Sequence, residues 1–180
     1  PAWWPDVEAA HQRGTPIVMV TQGTLATDPN ELIVPALRGL AGLEALVIAT
    51  TPNGLPPADV PANARVATFI PYHVAMPLLA AVVTNGGYGG VQMALQAGVP
   101  LVVAGGSEEK PEIAARVAWC GAGVDLRTGR PRASQIAVAV TKVLSDSTYR
   151  TRAQAMGADM QKHNALDEAA ALIEALAAQV

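Results

Sequence analysis

The chain has 180 residues, carries a formal charge of −3 from 15 acidic and 12 basic side chains, and is 51% hydrophobic but only 4% aromatic. That length suits one domain with a sizeable core built from Val, Leu, Ile and Ala. The acidic balance leaves no basic footprint for nucleic acid, no apolar run reaches the roughly 18 residues of a membrane span, and the lone Cys120 excludes an internal disulfide or a cysteine-based metal cluster. Cys120 follows Trp119 in an apolar context and reads as a buried structural thiol. A cytoplasmic location fits this composition. The opening Pro1-Ala2-Trp3-Trp4-Pro5-Asp6 lacks the basic region and apolar stretch of a signal peptide. Trp3 and Trp4 read as packing this leading segment onto the domain.

Elements then alternate. Pro16 to Thr21 reads as a buried strand. Asp28-Pro29-Asn30-Glu31 has the pattern of a helix start, with Asp28 as N-cap and Pro29 at the first helical position, predicting a helix to about Leu40 with a kink or break at Pro35. Ala45–Ala49 is the second strand, the Pro-rich stretch from Thr50 to Asn63 a loop, and Arg65–Phe69 the third strand. A short helix is expected over Val74–Leu79, then a fourth strand over Ala81–Thr84. A helix from about Tyr88 ends at Gly98, a natural residue just past a helix end. Val99–Val103 is the fifth strand, Pro111 opens a helix to Cys120, and Gly123–Leu126 is the sixth strand. Helices follow at about 133–144, 146–157 and 166–179; the last carries Leu166, Ala170, Ile173 and Leu176 on one face.

The segment Thr84-Asn85-Gly86-Gly87-Tyr88-Gly89-Gly90 places its glycines where the fourth strand turns into a helix. Glycine reaches positive φ cheaply and admits close approach to the backbone. A helix N-terminus offers unpaired N–H groups and partial positive charge, which suits a phosphate. The same glycines would also serve a plain tight turn. Continuous apolar strands alternating with helices predict an α/β fold: a doubly wound, Rossmann-like parallel sheet of about six strands with a helical C-terminal tail. Ligands of such sheets bind beyond the carboxyl ends of the strands, at the switch point. Gly23 and Thr24, Tyr72 and His73, Asn85 to Gly90, and Ser107 to Lys110 all fall at such ends.

These positions, in this order, resemble the C-terminal, donor-binding domain of a GT-B fold nucleotide-sugar glycosyltransferase of the UDP-glycosyltransferase-like superfamily, including bacterial macrolide and natural-product enzymes. The likeness runs from about Pro16 to Leu126. It is strongest over Val83 to Gly90 and Ala94 to Val103, which look like the family's His-Gly-Gly loop, helix and Gly-Val-Pro strand. Val20-Thr21-Gln22-Gly23-Thr24, Phe69-Ile70-Pro71-Tyr72 and Glu109-Lys110-Pro111 support it.

The resemblance implies a donor-binding domain over residues 1–180, with the N-terminal acceptor domain and its general base lying outside this chain. It implies no catalytic residue here and no metal or other cofactor. It assigns Gly23, Thr24, Asn85, Gly86, Gly87, Gly89 and Gly90 to the donor diphosphate. Phe69, Ile70 and Pro71 go to the nucleotide base, through stacking and backbone contacts, and Glu109 and Lys110 to the donor sugar. The implied activity is transfer of a hexose from a UDP- or dTDP-sugar to a hydroxyl acceptor, with inversion. The isolated chain is expected to bind nucleotide without completing catalysis.

Five positions depart from the family pattern. Asn85 stands for the usual His, and Asn cannot carry positive charge. Gly90 replaces a hydroxyl residue, Met93 an acid in the following helix, and Glu109-Lys110 the usual Asp-Gln pair. Asn85 can contact phosphate or cap the next helix, and Tyr88 can cover a ligand or pack against a partner domain. His73 reads as a cap or surface residue; His11 and His163 lack metal-ligand spacing. Two other readings compete: an interaction module that has lost ligand binding, and a nicotinamide oxidoreductase. The latter needs Gly-x-Gly-x-x-Gly after the first strand, where the chain has Gln22-Gly23-Thr24.

Overall fold

The computed structural model describes residues 1–23, 26–51 and 57–178. Its elements are α1 (Trp4–Gln12), β1 (Ile17–Thr21), α2 (Ile33–Leu40), β2 (Leu46–Thr50), β3 (Ala64–Ala67) and α3 (Tyr72–Ala75) with a 3₁₀ turn over Met76–Leu78. There follow β4 (Ala81–Thr84), α4 (Tyr88–Gln96), β5 (Leu101–Val103), α5 (Lys110–Trp119), β6 (Gly123–Asp125), α6 (Ala133–Ser145), α7 (Ser147–Met160) and α8 (Ala165–Ala177). The strands form one six-stranded sheet in the order β3-β2-β1-β4-β5-β6. Every pairing is parallel, with Val20 opposite Val83 and Thr21 opposite Thr84 across the central pair.

The strands are apolar on both faces because both faces are covered. In β1 all five residues are buried. Ile17 and Met19 point into one core with Val7 of α1, Val91 and Leu95 of α4, and Val117 of α5. Val18 and Val20 point into the other, with Ile33 and Leu37 of α2 and Ile136 and Val140 of α6. Alternation along one strand thus feeds two layers, the period-2 geometry of a pleated strand.

Half-buried Arg150 of α7 ties that helix to the segments before β4 and after α4, donating to the carbonyls of Leu79 at 2.6 Å, Ala80 at 3.0 Å and Gly98 at 3.1 Å. Desolvation by burial lowers its pKa. Gly98, with φ +68°, closes α4 as expected: its N–H reaches Leu95 O at 2.9 Å and that of Val99 reaches Ala94 O at 2.8 Å.

Several expected boundaries move. The second helix starts at Ile33, not Pro29. Asp28 closes a local turn instead, accepting from Asn30 N at 3.0 Å and Asn30 Nδ2 at 2.8 Å, bonds that hold its carboxyl below the usual range. Pro35 then falls in the first turn, where a missing N–H costs little. The third strand stops at Ala67, so Phe69 lies beyond it, and the next helix begins at Tyr72 rather than Val74. A helix, α1, forms in the leading segment; Trp3 Nε1 donates to Val66 O at 3.0 Å, and both Trp3 and Trp4 pack on the core. Cys120 is half-buried rather than buried, its thiol donating to Val117 O at 3.3 Å, and Trp119 beside it turns outward, 89% exposed. In α8 no residue is buried, so its apolar stripe faces outward. No helix among the described residues is long and apolar enough to cross a membrane.

Candidate functional site: a cleft at the strand ends

β1 and β4 are neighbours in the sheet but not in sequence, so successive strands are added outward on opposite sides of this pair. Beyond their carboxyl ends opens a cleft of about 740 Å³, the position at which such sheets bind ligands. Three of the strands that reach it end on threonine: Thr21, Thr50 and Thr84. Thr84 Oγ1 accepts from Gly86 N at 3.2 Å and so starts the loop into α4.

The loop after β1 is shaped by Gln22, which is 1% exposed. Its Nε2 donates to Ala26 O at 2.9 Å and Asp28 O at 2.8 Å, holding those two residues against the end of β1. Its backbone carbonyl accepts from Asn85 Nδ2 at 2.5 Å, and Asn85 Oδ1 accepts from Gly87 N at 3.3 Å. Asn85 therefore does cap backbone, though one step ahead of α4, and bridges the loops after β1 and β4. Gln22→Glu exchanges the donor for an acceptor facing two carbonyls. It is expected to cost about 1–3 kcal/mol in equilibrium denaturation; an unchanged midpoint would refute the clamp.

Gly86 has φ +87°, and a Cβ there would come within 2.9 Å of Val103 Cγ1, so this position needs glycine for both conformation and space. Gly87 is the N-cap of α4, and Tyr88, Gly89 and Gly90 form its first turn with no side-chain cap. The first bond into the helix runs from Val91 N to Gly87 O at 3.1 Å, leaving the N–H groups of Tyr88, Gly89 and Gly90 ahead of it. A Cβ at Gly89 or Gly90 would meet nothing within 4 Å. These two glycines therefore answer to neither packing nor backbone strain; they keep one side of the helix start open.

The other walls come from β3 and β5. Phe69 is 71% exposed and lines the cleft, whereas Ile70 is 1% exposed and sends its side chain into the core. Pro71 precedes α3 as its N-cap, and Tyr72 and His73 follow along the rim. On the far side Glu109 stands at the N-cap position of α5, making no side-chain bond to the helix, and Lys110 begins it. Lys110 Nζ forms an ion pair with Glu108, a residue held at φ +56°. Met93 completes the α4 wall, and the first turn of that helix holds no acid.

Of the residues singled out from sequence, Gly23, Phe69, Ile70, Pro71, Asn85, Gly87, Gly89, Gly90, Glu109 and Lys110 line this one cleft. Gly86 lies beneath it, packed toward Val103 and Lys110. Thr24 lies outside the described residues. Sequence reasoning missed the clamp made by Gln22 and the hydroxyls of Thr21 and Thr50. A readable signal existed: threonine closes the apolar runs of β1, β2 and β4. Among the described residues no group of three His, Cys, Asp or Glu side chains is placed to hold a metal ion.

The sheet order and switch-point cleft define a Rossmann-type α/β domain with the fold of GT-B glycosyltransferases. Residues 36–176 match the family described as "Erythromycin biosynthesis protein CIII-like, C-terminal domain", and the chain belongs to that family. It is 47% identical over 176 residues to 4'-demethylrebeccamycin synthase of Lentzea aerocolonigenes, covering 98% of this chain and 41% of that protein. It is 36% identical over 186 residues to UDP-glucosyltransferase B1 of Starmerella bombicola, again covering 98% of the chain and 41% of the relative. The crystal structure of CalG4, the calicheamicin glycosyltransferase, superposes with a TM-score of 0.76 at 27% identity, over 92% of this chain and 43% of that one. The chain thus spans about two fifths of the length of the relatives it matches.

Proposed function

We propose that residues 1–180 are the nucleotide-sugar binding domain of a cytoplasmic glycosyltransferase. The enzyme transfers a hexose from a UDP- or dTDP-sugar to a small-molecule hydroxyl acceptor, with inversion and without a metal. An N-terminal domain of the longer protein supplies the acceptor pocket and the general base. The single observation that carries this reading is the start of α4, where uncapped N–H groups and two glycines with open space face the switch-point cleft. Such N–H groups favour a diphosphate and stabilise the charge that develops on it as the sugar–oxygen bond breaks. Phe69, exposed at the opposite wall, offers a ring for the base. Gly23, Asn85 and Gly87 border the diphosphate in this reading, and Glu109 and Lys110 the sugar. The names of two similar proteins, a UDP-glucosyltransferase and the calicheamicin glycosyltransferase, support the same chemistry.

Calorimetric titration of the chain with UDP, dTDP and NAD tests the reading. Saturable binding of a pyrimidine nucleoside diphosphate, without sugar transfer by the chain alone, is expected. Binding of NAD instead, or of none of the three, would refute it.

A further inference from the structure

Three hydroxyls meet at the floor of the cleft. Thr21 Oγ1 lies 2.6 Å from the phenol oxygen of Tyr72. The same threonine oxygen accepts from Thr50 Oγ1 at 3.2 Å and from Gly23 N at 3.4 Å. A hydroxyl oxygen has two lone pairs and one proton. Thr50 and Gly23 fill both lone pairs, so the proton of Thr21 must go outward. Thr21 is 4% exposed, and among the described residues the Tyr72 oxygen is the acceptor its hydroxyl meets. A buried hydroxyl proton without an acceptor is costly, which fixes the polarity of the chain: Thr50 donates to Thr21, and Thr21 donates to Tyr72.

The consequence falls on Tyr72. Its oxygen already accepts from Thr21, so its own proton is not consumed within this cluster. The phenol is half-buried, lines the cleft and stands over the ends of β1 and β2, next to the Phe69–Pro71 segment. We propose that Tyr72 binds the ligand directly, its O–H donating to an oxygen of the ribose–phosphate portion of a nucleoside diphosphate. The backbone around it prepares this: Pro71 sets the entry to α3, and buried Ile70 anchors the segment in the core. A neutral tyrosine donor in the cleft adds a bond to an anionic or hydroxyl oxygen, where Lys110 is already paired with Glu108.

This inference rests on the nucleotide reading of the cleft, and the test separates the two. Tyr72→Phe and Thr21→Val delete the same 2.6 Å hydrogen bond, but only the first removes the phenol donor. UDP affinity is measured by calorimetry on the whole chain, with melting temperature read alongside. Tyr72→Phe is expected to weaken UDP about tenfold and Thr21→Val by no more than about threefold, although Thr21→Val, which also gives up the bonds from Thr50 and Gly23, loses the more stability. Equal losses of affinity in the two variants, or wild-type affinity in Tyr72→Phe, would overturn the inference alone. Absence of UDP binding by the wild-type chain would overturn the nucleotide reading and this inference with it.

Discussion

Gly90→Asp is expected to remove nucleotide diphosphate binding while leaving the fold as stable as before or slightly more so. The two effects have opposite signs because one carboxylate acts on two partners. Gly90 is the third residue of α4, and a Cβ there meets nothing within 4 Å beyond its own turn of helix. Replacing glycine in a helix removes a conformational penalty of up to about 1 kcal/mol. A negative charge in the first turn adds roughly 0.3–1 kcal/mol through the helix dipole. A bound diphosphate would meet the same charge at close range. At about 5 Å and an effective dielectric constant near 20, the repulsion is about 3 kcal/mol per charge pair, a loss of two orders of magnitude or more in affinity. Thermal denaturation and UDP titration of the variant check both halves. A variant that melts at or above the wild-type temperature and still binds UDP normally would move the phosphate away from α4.

Gly39→Ala is expected to go the other way in stability. Gly39 lies in α2 where that helix crosses the start of α6, and a Cβ would fall 2.3 Å from the backbone carbonyl oxygen of Ala133. A backbone atom cannot rotate aside as a side chain can, so the helices must part. Overpacking of this kind costs typically 1–3 kcal/mol, enough to lower the melting temperature of a domain this size by roughly 3–10 °C. Both substitutions lie in helices, and helix propensity alone would make both stabilising. Only the surrounding atoms separate them. Chemical denaturation of Gly39→Ala that shows no loss would mean that α2 and α6 have more freedom than this packing allows.

The layered fold was legible because its signals are local. Runs such as Ile17–Thr21 and Ala81–Thr84 are apolar on both faces, which requires a sheet covered twice, and Gly98 marks the end of α4 by its own conformational needs. The α2 boundary was misplaced because Asp28-Pro29 is as good a turn as a helix start. Only Pro35, three residues into the helix, shows which use prevails. The place of the site was legible too, since strand ends converge by topology. Its internal bonding was not. Nothing in the order of residues says that Asn85 spends its amide on Gln22 O, that Lys110 pairs with Glu108, or that Tyr72 reaches back to Thr21 across 51 positions. Such bonds depend on which loops the sheet brings side by side. The stripe on α8 was read correctly as a pattern, but a pattern does not name what it faces.

In the proposed function the first turn of α4 cradles a diphosphate. A crystal of this chain grown with UDP-glucose tests it most directly. Diphosphate density is expected within hydrogen-bond distance of the Gly89 and Gly90 N–H groups, with the uracil against Phe69. Density elsewhere on the sheet, or a cleft left empty at saturating ligand, would contradict it.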